Sequence, residues 1–398
     1  MSTQFLRVAP LALLLMAQAK PVDFEPSPRV VATGQAPVLA IRASGAVSLL
    51  KVENGDLWIQ TSFDGGDTFQ PGVRVNDTAG EVASHGENTP QLQLRSRSEL
   101  YCLWQARSAG LRFARSVDWA ETFSKPIPAD PSGPPGSQGF FTMNVSPAGT
   151  VYVAWLDGRD RSAAGSSVYI ARSTDRGVSF EPSVKVAERV CPCCRPSIAF
   201  GAVDVVHVAW RGVSGDNVRD IHVSTSTDGG KTWPTAVPVS DDHWEISGCP
   251  HSGAALESLG GRLFIAWYSA GRGDPGIYLA SSDDGGRTFS KREPLSGSTL
   301  DPNHPYFAKA QGKLGVVFQA RDPEENRGWG RAAAYYREID SRGRLSPLVR
   351  IGQASGSASY PVLAFEAPGR TFAAWTESMP DRGYRIVLCR GRETRPSP

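Results

Sequence analysis

Short apolar runs alternate with polar turns along the chain, and a run ending in Trp returns at nearly constant intervals. Leu103-Trp104, Ala154-Trp155, Ala209-Trp210, Ala266-Trp267 and Ala374-Trp375 mark it, with Lys51 and Phe318 at the same place in two weaker copies. The markers define seven units, the signature of one supersecondary element repeated. In each unit a strand is predicted to start fourteen residues before the marker (Pro37, Pro90, Pro196, Pro361) and a second to end at it. A third leads into a turn and a fourth follows, as Val184-Lys-Val186 does. No unit carries a helical period.

The turn has its own spelling. Ser62-Phe-Asp64-Gly-Gly66-Asp-Thr68-Phe69 recurs in variant form from Ser116, Ser173, Ser226 and Ser282, at steps of 54, 57, 53 and 56 residues. Ser and Asp side chains can bond nearby backbone amides, Gly permits positive φ, and the aromatic closes the hairpin base. A sixth copy around Asp340-Ser341-Arg342-Gly343 is decayed. The seventh unit stops after Tyr384-Arg-Ile-Val-Leu-Cys389, one strand short. Phe24-Glu-Pro-Ser-Pro-Arg29-Val-Val31 resembles Phe180-Glu-Pro-Ser-Val-Lys185-Val186, the fourth strand of the third unit, and can fill the gap. The fold predicted is all-β: a seven-bladed β-propeller of four-stranded antiparallel blades, closed by the N-terminal strand, with six blades as the alternative.

The S-x-D-x-G-x-T-F/W turns resemble the Asp-boxes of the sialidase superfamily, and the repeat marks cover nearly all of residues 20–398. Sialidases have six blades where seven units are counted here. The resemblance implies the fold and an activity on extracellular glycans. A sialidase needs three arginines, a Tyr/Glu nucleophile pair and an Asp acid/base; Arg159, Arg195, Arg211, Arg321, Tyr268, Glu377 and Asp157 are of those types. The family's Arg-Ile-Pro signature is absent, the corresponding segment reading Val38-Leu-Ala-Ile41-Arg42-Ala.

Arg7, the apolar run from Val8 to Ala17 and the small-x-small Ala17-Gln18-Ala19 form the pattern of a signal peptide over residues 1–19. A single domain over 20–398, exported to the periplasm or beyond, is expected, with no membrane span. Lys and Arg number 42 against 40 Asp and Glu, a net charge of +2, which argues against a nucleic-acid partner. A monomer with a small-molecule or glycan ligand is expected.

In an up-down-up-down blade, the box turn opens on one face of the ring. The loop after each Trp and the connection into each first strand open on the other, so chemistry is sought there. Those connections carry His85 and Glu87; Cys191, Cys193, Cys194 and Arg195; Cys249 and His251; and Asn303 and His304. Disulfides are one reading in an oxidising compartment. A metal site of Cys191, Cys193, Cys194, Cys249, His251, His85 and His304, for Cu or Zn by ligand softness, is another. A reactive cysteine is a third. Cys102 and Cys389 read as core.

The loops after each Trp supply charge, and a general glycosidase would draw two carboxylates from Glu87, Asp157, Asp301 and Glu377. Arg195, Trp244 and Asn303 are candidate ligand contacts, although Trp244 also suits simple packing, as do the repeated Trp residues. Three functions remain open: a propeller with a Cys/His-rich metal or small-ligand site at the channel mouth, a glycoside hydrolase, or a protein-binding propeller.

Overall fold

All seven marker residues lie on the second strand of a sheet and all are buried. They sit on Val47–Glu53, Leu100–Ala106, Val151–Asp157, Val206–Arg211, Arg262–Ser269, Lys313–Arg321 and Arg370–Ser378. The computed structural model describes residues 21–394 apart from 97, 161–164, 311, 353–354, 367–368 and 380–382. The expected leader and three charged residues of the loops after the Trp markers, Arg161, Asp381 and Arg382, lie outside the described residues.

Seven antiparallel sheets follow one another along the chain, each with the marker strand second. Their first strands are Gln35–Ile41, Gln91–Leu94, Gln138–Val145, Ser197–Phe200, Ala255–Leu259, Leu300–Ala310 and Ser357–Glu366. Each touches the first strand of the next sheet, and the last touches the first, so these strands form a closed inner ring about a channel. Seven hydrophobic clusters fill the seven gaps between neighbouring blades, one per gap. Trp155, for example, packs with Leu103 and Phe113 of the preceding blade. The architecture is the predicted seven-bladed propeller.

Closure is also as predicted, with one refinement. The C-terminal strand Tyr384–Glu393 pairs with two short N-terminal strands, Val22–Phe24 and Arg29–Thr33, separated by the Pro26–Pro28 stretch, where proline cannot donate to a ladder. Among the described residues no helix is long and apolar enough to cross a membrane.

The five box turns share one bonding pattern. In the first, Ser62 Oγ accepts from Gly66 N at 2.8 Å while donating to Asp64, and Asp64 accepts from Thr68 N and Oγ. These bonds, from Thr68 first, hold the Asp64 carboxyl well below its usual range. In the second box Trp119 and Ala120 replace the two glycines yet keep positive φ values of 71° and 68°, so the turn dictates the backbone even where the side chain resists it.

A second recurrent feature lies at the opposite end of the blades. Ladder register breaks at the start of four inner strands, between Gln35 and Val38, Gly139 and Thr142, Asn303 and Tyr306, and Ser359 and Val362. At each break a non-glycine residue takes positive φ: Ala36, Phe140, His304 and Tyr360. These are bulges that turn side chains toward the channel mouth and free an amide from the ladder. Each freed amide is caught by a side chain: Ala36 N by Thr376 Oγ1, Phe140 N by Asn88 Oδ1, His304 N by Asn303 Oδ1 and Tyr360 N by Gln319 Oε1, all at 2.8–3.0 Å.

Candidate functional site at the channel mouth

In blades four and five the amides at this level are caught by one carboxylate from blade two. Glu87 accepts from Arg195 N at 3.0 Å and from Gly253 N at 2.8 Å, and its Oε1 lies 3.0 Å from His304 Nδ1 of blade six. Glu87 is 4 % exposed. Burial alone would raise its pKa, but the His304 hydrogen bond and charge, with Arg195, bring it below the ordinary value. A carboxylate only accepts, so Nδ1 of His304 is the donor in this contact, and in the neutral imidazole that leaves Nε2 as the acceptor nitrogen. No hydrogen bond among the described residues engages that Nε2.

The surroundings of this pair come from two further blades. The Tyr360 ring lies 4.3 Å from the His304 ring, and burial pushes its phenol up to about 12, so it remains a proton donor at neutral pH. Arg195 Nη1 donates to Thr89 Oγ1 at 3.1 Å. Below the mouth a cavity of about 50 Å3 touches Glu87, Arg195, His304, Tyr306 and Tyr360. A second of about 230 Å3, lined by Asn144, Glu257 and Phe307, shares Gln91, Gln93, Arg195, Pro305 and Tyr306 with it. Arg195 and Tyr306 are thus among the residues that line both cavities.

The sulfur-bearing loops lie beside this mouth. Cys191, Cys193 and Cys194 connect blades three and four and are buried together, with Sγ atoms 3.5 Å (191 to 194) and 3.7 Å (191 to 193) apart. Cys249, from the next connection, is half-buried and packs against them. Arg219 Nη1 reaches both loops, at 3.1 Å from Cys191 Sγ and 3.8 Å from Cys249 Sγ. Thiol hydrogen bonds from Cys193 and Cys194, together with Arg219, hold the Cys191 thiol far below its usual range. Burial pushes Cys194 up. All six cysteines are free thiols.

The histidines expected to share that site do not reach it. Among the described residues the cluster of metal-type ligands is Cys191, Cys193 and Cys194 alone. His304 is committed to Glu87, His85 stands edge-on to Phe140 at 5.8 Å, and His251 is exposed at a positive-φ position.

Most charges after the Trp residues turn inward. Trp155 Nε1 donates to Asp157 at 2.7 Å, and Arg159 bonds Asp157 and Asp130. Trp375 Nε1 donates to Glu377, which pairs with Arg385 at 2.7 Å. Trp104 and Trp267 bond Glu81 and Asp242 in the same way, and Lys51 replaces the indole with an ammonium 2.6 Å from Glu53. Asp157, Arg159 and Glu377 thus cap the buried indoles instead of meeting at the channel. Arg211, 1 % exposed, bonds the carbonyls of Arg219, Ser252 and Tyr268, and its guanidinium lies 5.1 Å over Trp244, which is edge-on to Tyr268. Arg321 pairs with Asp301 and lies over the exposed Trp329 ring. Of the sequence candidates, Glu87, Arg195, Asn303 and His304 come together.

Tyr360, Tyr306, Gly253 and Arg219 were missed. Tyr360 had a signal, since it stands fifteen residues before its marker as Arg195 does. Arg219, in a blade-four loop of no fixed spelling, had none.

No family model matches the chain, and no curated protein matches it in sequence. Solved structures resemble it in fold. A protein of unknown function from Dyadobacter fermentans DSM 18053 is 15 % identical, with 94 % of this chain and 100 % of that one covered at a TM-score of 0.54. A polysaccharide lyase of family 25, an ulvan lyase bound to a GlcA(1-4)Rha3S chain, is 10 % identical over 90 % and 95 % at 0.59. The endosialidase of phage phi92 is 10 % identical over 95 % and 70 % at 0.50. At these identities the likeness is one of fold, the β-propeller.

Proposed function

We propose that the propeller acts on an acidic glycan at its channel mouth, with His304 as the proton-transfer residue. The observation that carries this is the Glu87–His304 pair, which is buried, closed by donors from blades four and five, and leaves one imidazole nitrogen uncommitted. A carboxylate behind an imidazole fixes its tautomer and raises its basicity. The guanidinium of Arg195 is suited to a sugar carboxylate.

That set favours elimination. Nε2 of His304 takes the proton from the carbon beside the sugar carboxylate, the C–O bond to the departing sugar breaks as a C=C bond forms, and the Tyr360 hydroxyl protonates the leaving oxygen. Hydrolysis by paired carboxylates is less well served, because Asp157, Glu377 and Asp301 are engaged by Arg159, Arg385 and Arg321. The glycan class is consistent with the GlcA(1-4)Rha3S chain bound to the ulvan lyase among the fold neighbours and with the export expected from the sequence.

The test incubates the full chain with uronate-bearing polysaccharides and follows the ultraviolet absorbance of the unsaturated product, with reducing-end release measured in parallel. Turnover that His304→Gln abolishes is the expected result. Equal inertness of wild type and variant, with no retardation of either in gels containing the polysaccharides, overturns the reading.

A further inference from the structure

We propose that Cys191, Cys193, Cys194 and Cys249 together hold one thiophilic cation of the Zn2+ or Cu+ class. The site is independent of the glycan reading, since none of its ligand atoms belongs to the channel.

The geometry is that of a metal cage before it is that of a disulfide. Four thiolates around an ion at about 2.3 Å stand about 3.8 Å from one another. The sulfurs of Cys191 stand 3.7 Å and 3.5 Å from those of Cys193 and Cys194, and all three lie within 4.8 Å of one another. The three are almost wholly buried, and Cys249 packs against them from the adjoining loop, with Arg219 in contact with its sulfur as with that of Cys191.

Charge is provided for as well. Four thiolates and a divalent ion leave an excess of two negative charges, and the Arg219 guanidinium touches two of the sulfurs. The Arg219 Nε is buried with no partner. Soft sulfur donors select Zn2+ and Cu+ over the harder cations. Histidine has no part, which separates this site from the mixed Cys/His site expected from the sequence. Binding would also tie two loops whose amides, Arg195 N and Gly253 N, grip Glu87.

The experiment uses the full chain, purified and reduced without metal, then given Zn2+ alone, Cu+ alone as a weak complex, or Co2+ as a spectroscopic probe. The expected result is one ion per chain, protons released on binding, four of the six thiols protected from a thiol reagent, and sulfur-to-cobalt charge-transfer absorption with tetrahedral d–d bands. Cys191→Ser and Cys249→Ser should each weaken binding at least tenfold, and His251→Ala should leave it unchanged. Cys249 is the least buried of the four, so its variant keeps the test readable if Cys191→Ser does not fold. Failure of the reduced chain to bind any of these ions, loss of binding in His251→Ala, or retention of full affinity in folded Cys249→Ser overturns the proposal. A wild-type chain that takes up the metal but neither turns over nor binds the polysaccharides overturns only the channel reading.

Discussion

Glu87 Oε1 and His304 Nδ1, 217 residues apart in sequence, meet at 3.0 Å across the channel mouth. The remaining carboxylate valence goes to amides of two further blades, so a single side chain ties blades two, four, five and six. Glu87→Gln keeps the shape but turns an NH2 toward a donor amide or the imidazole. We expect a stability loss of about 1–3 kcal/mol in thermal or urea melts, and at least a hundredfold fall in glycan turnover, in line with the ~10²–10⁴ contributed by a positioned base. His304→Gln should lose the turnover with a smaller change in melting temperature. The difference between the two variants measures how much of the pair is scaffold.

Asp157 is predicted to be a structural carboxylate. It is fully buried between the Trp155 indole and Arg159, whose bonds hold its pKa below the ordinary value against the effect of burial. Asp157→Asn leaves Arg159 with one carboxylate in place of two, and we expect a loss of about 2–4 kcal/mol with channel ligand affinity unchanged. A double-mutant cycle with Trp155→Phe, read by chemical denaturation, should give a coupling energy of about 1 kcal/mol. Unchanged stability, or a specific loss of turnover in a fully stable variant, would return Asp157 to the catalytic candidates.

These two carboxylates show where the sequence was readable. The repeat of buried Trp and box turns sets blade number and strand order, because a turn that bonds its own backbone and a residue that fills an inter-blade gap both act locally and recur at each unit. The Asp157 role was legible too, since residues two apart on a strand share a face, and Trp155 with Asp157, Trp375 with Glu377 and Lys51 with Glu53 all have that spacing. Asp157 and Glu377 were assigned to the loop after each Trp instead. The Glu87–His304 pair is different: Glu87 was a candidate acid and His304 a candidate ligand, but their contact depends on ring diameter and on the bulge that turns His304 inward, neither of which has a spelling. The same limit applies to the sulfurs, whose placement in neighbouring connections was readable while the exclusion of His85 and His251 was not.

A pH-dependent loss of stability is expected from His207. It is 2 % exposed, its Nδ1 is 2.8 Å from Thr225 Oγ1, and burial lowers its pKa to about 4. The unfolded chain takes up the proton near pH 6.5 while the folded one resists until about 4, so the stabilisation is complete above pH 6.5 and is lost progressively as pH falls toward 4. The size is on the order of 3 kcal/mol. Urea midpoints across pH 7 to 4 should fall, and His207→Gln should flatten that limb of the profile. A variant with the wild-type slope between pH 6.5 and 4.5 would assign the dependence to other groups.

Closure of the ring is tested at Gly391, which pairs with Phe24. A Cβ there would stand 2.4 Å from Val22 Cγ1 and 2.9 Å from Phe24 Cδ1, and Val22 is wholly buried in the gap between the sixth and seventh blades. Gly391→Ala must push the first N-terminal strand off the last strand of the ring or distort both. We expect a cost of about 1–3 kcal/mol, with protease cleavage appearing between residues 21 and 33 well before the rest of the chain is attacked. Arg29–Thr33 pairs further along the same strand and should hold the ring together, so unfolding should remain cooperative. A melting temperature and cleavage pattern equal to wild type would mean that Val22–Phe24 contributes nothing to closure and that the second N-terminal strand carries it alone.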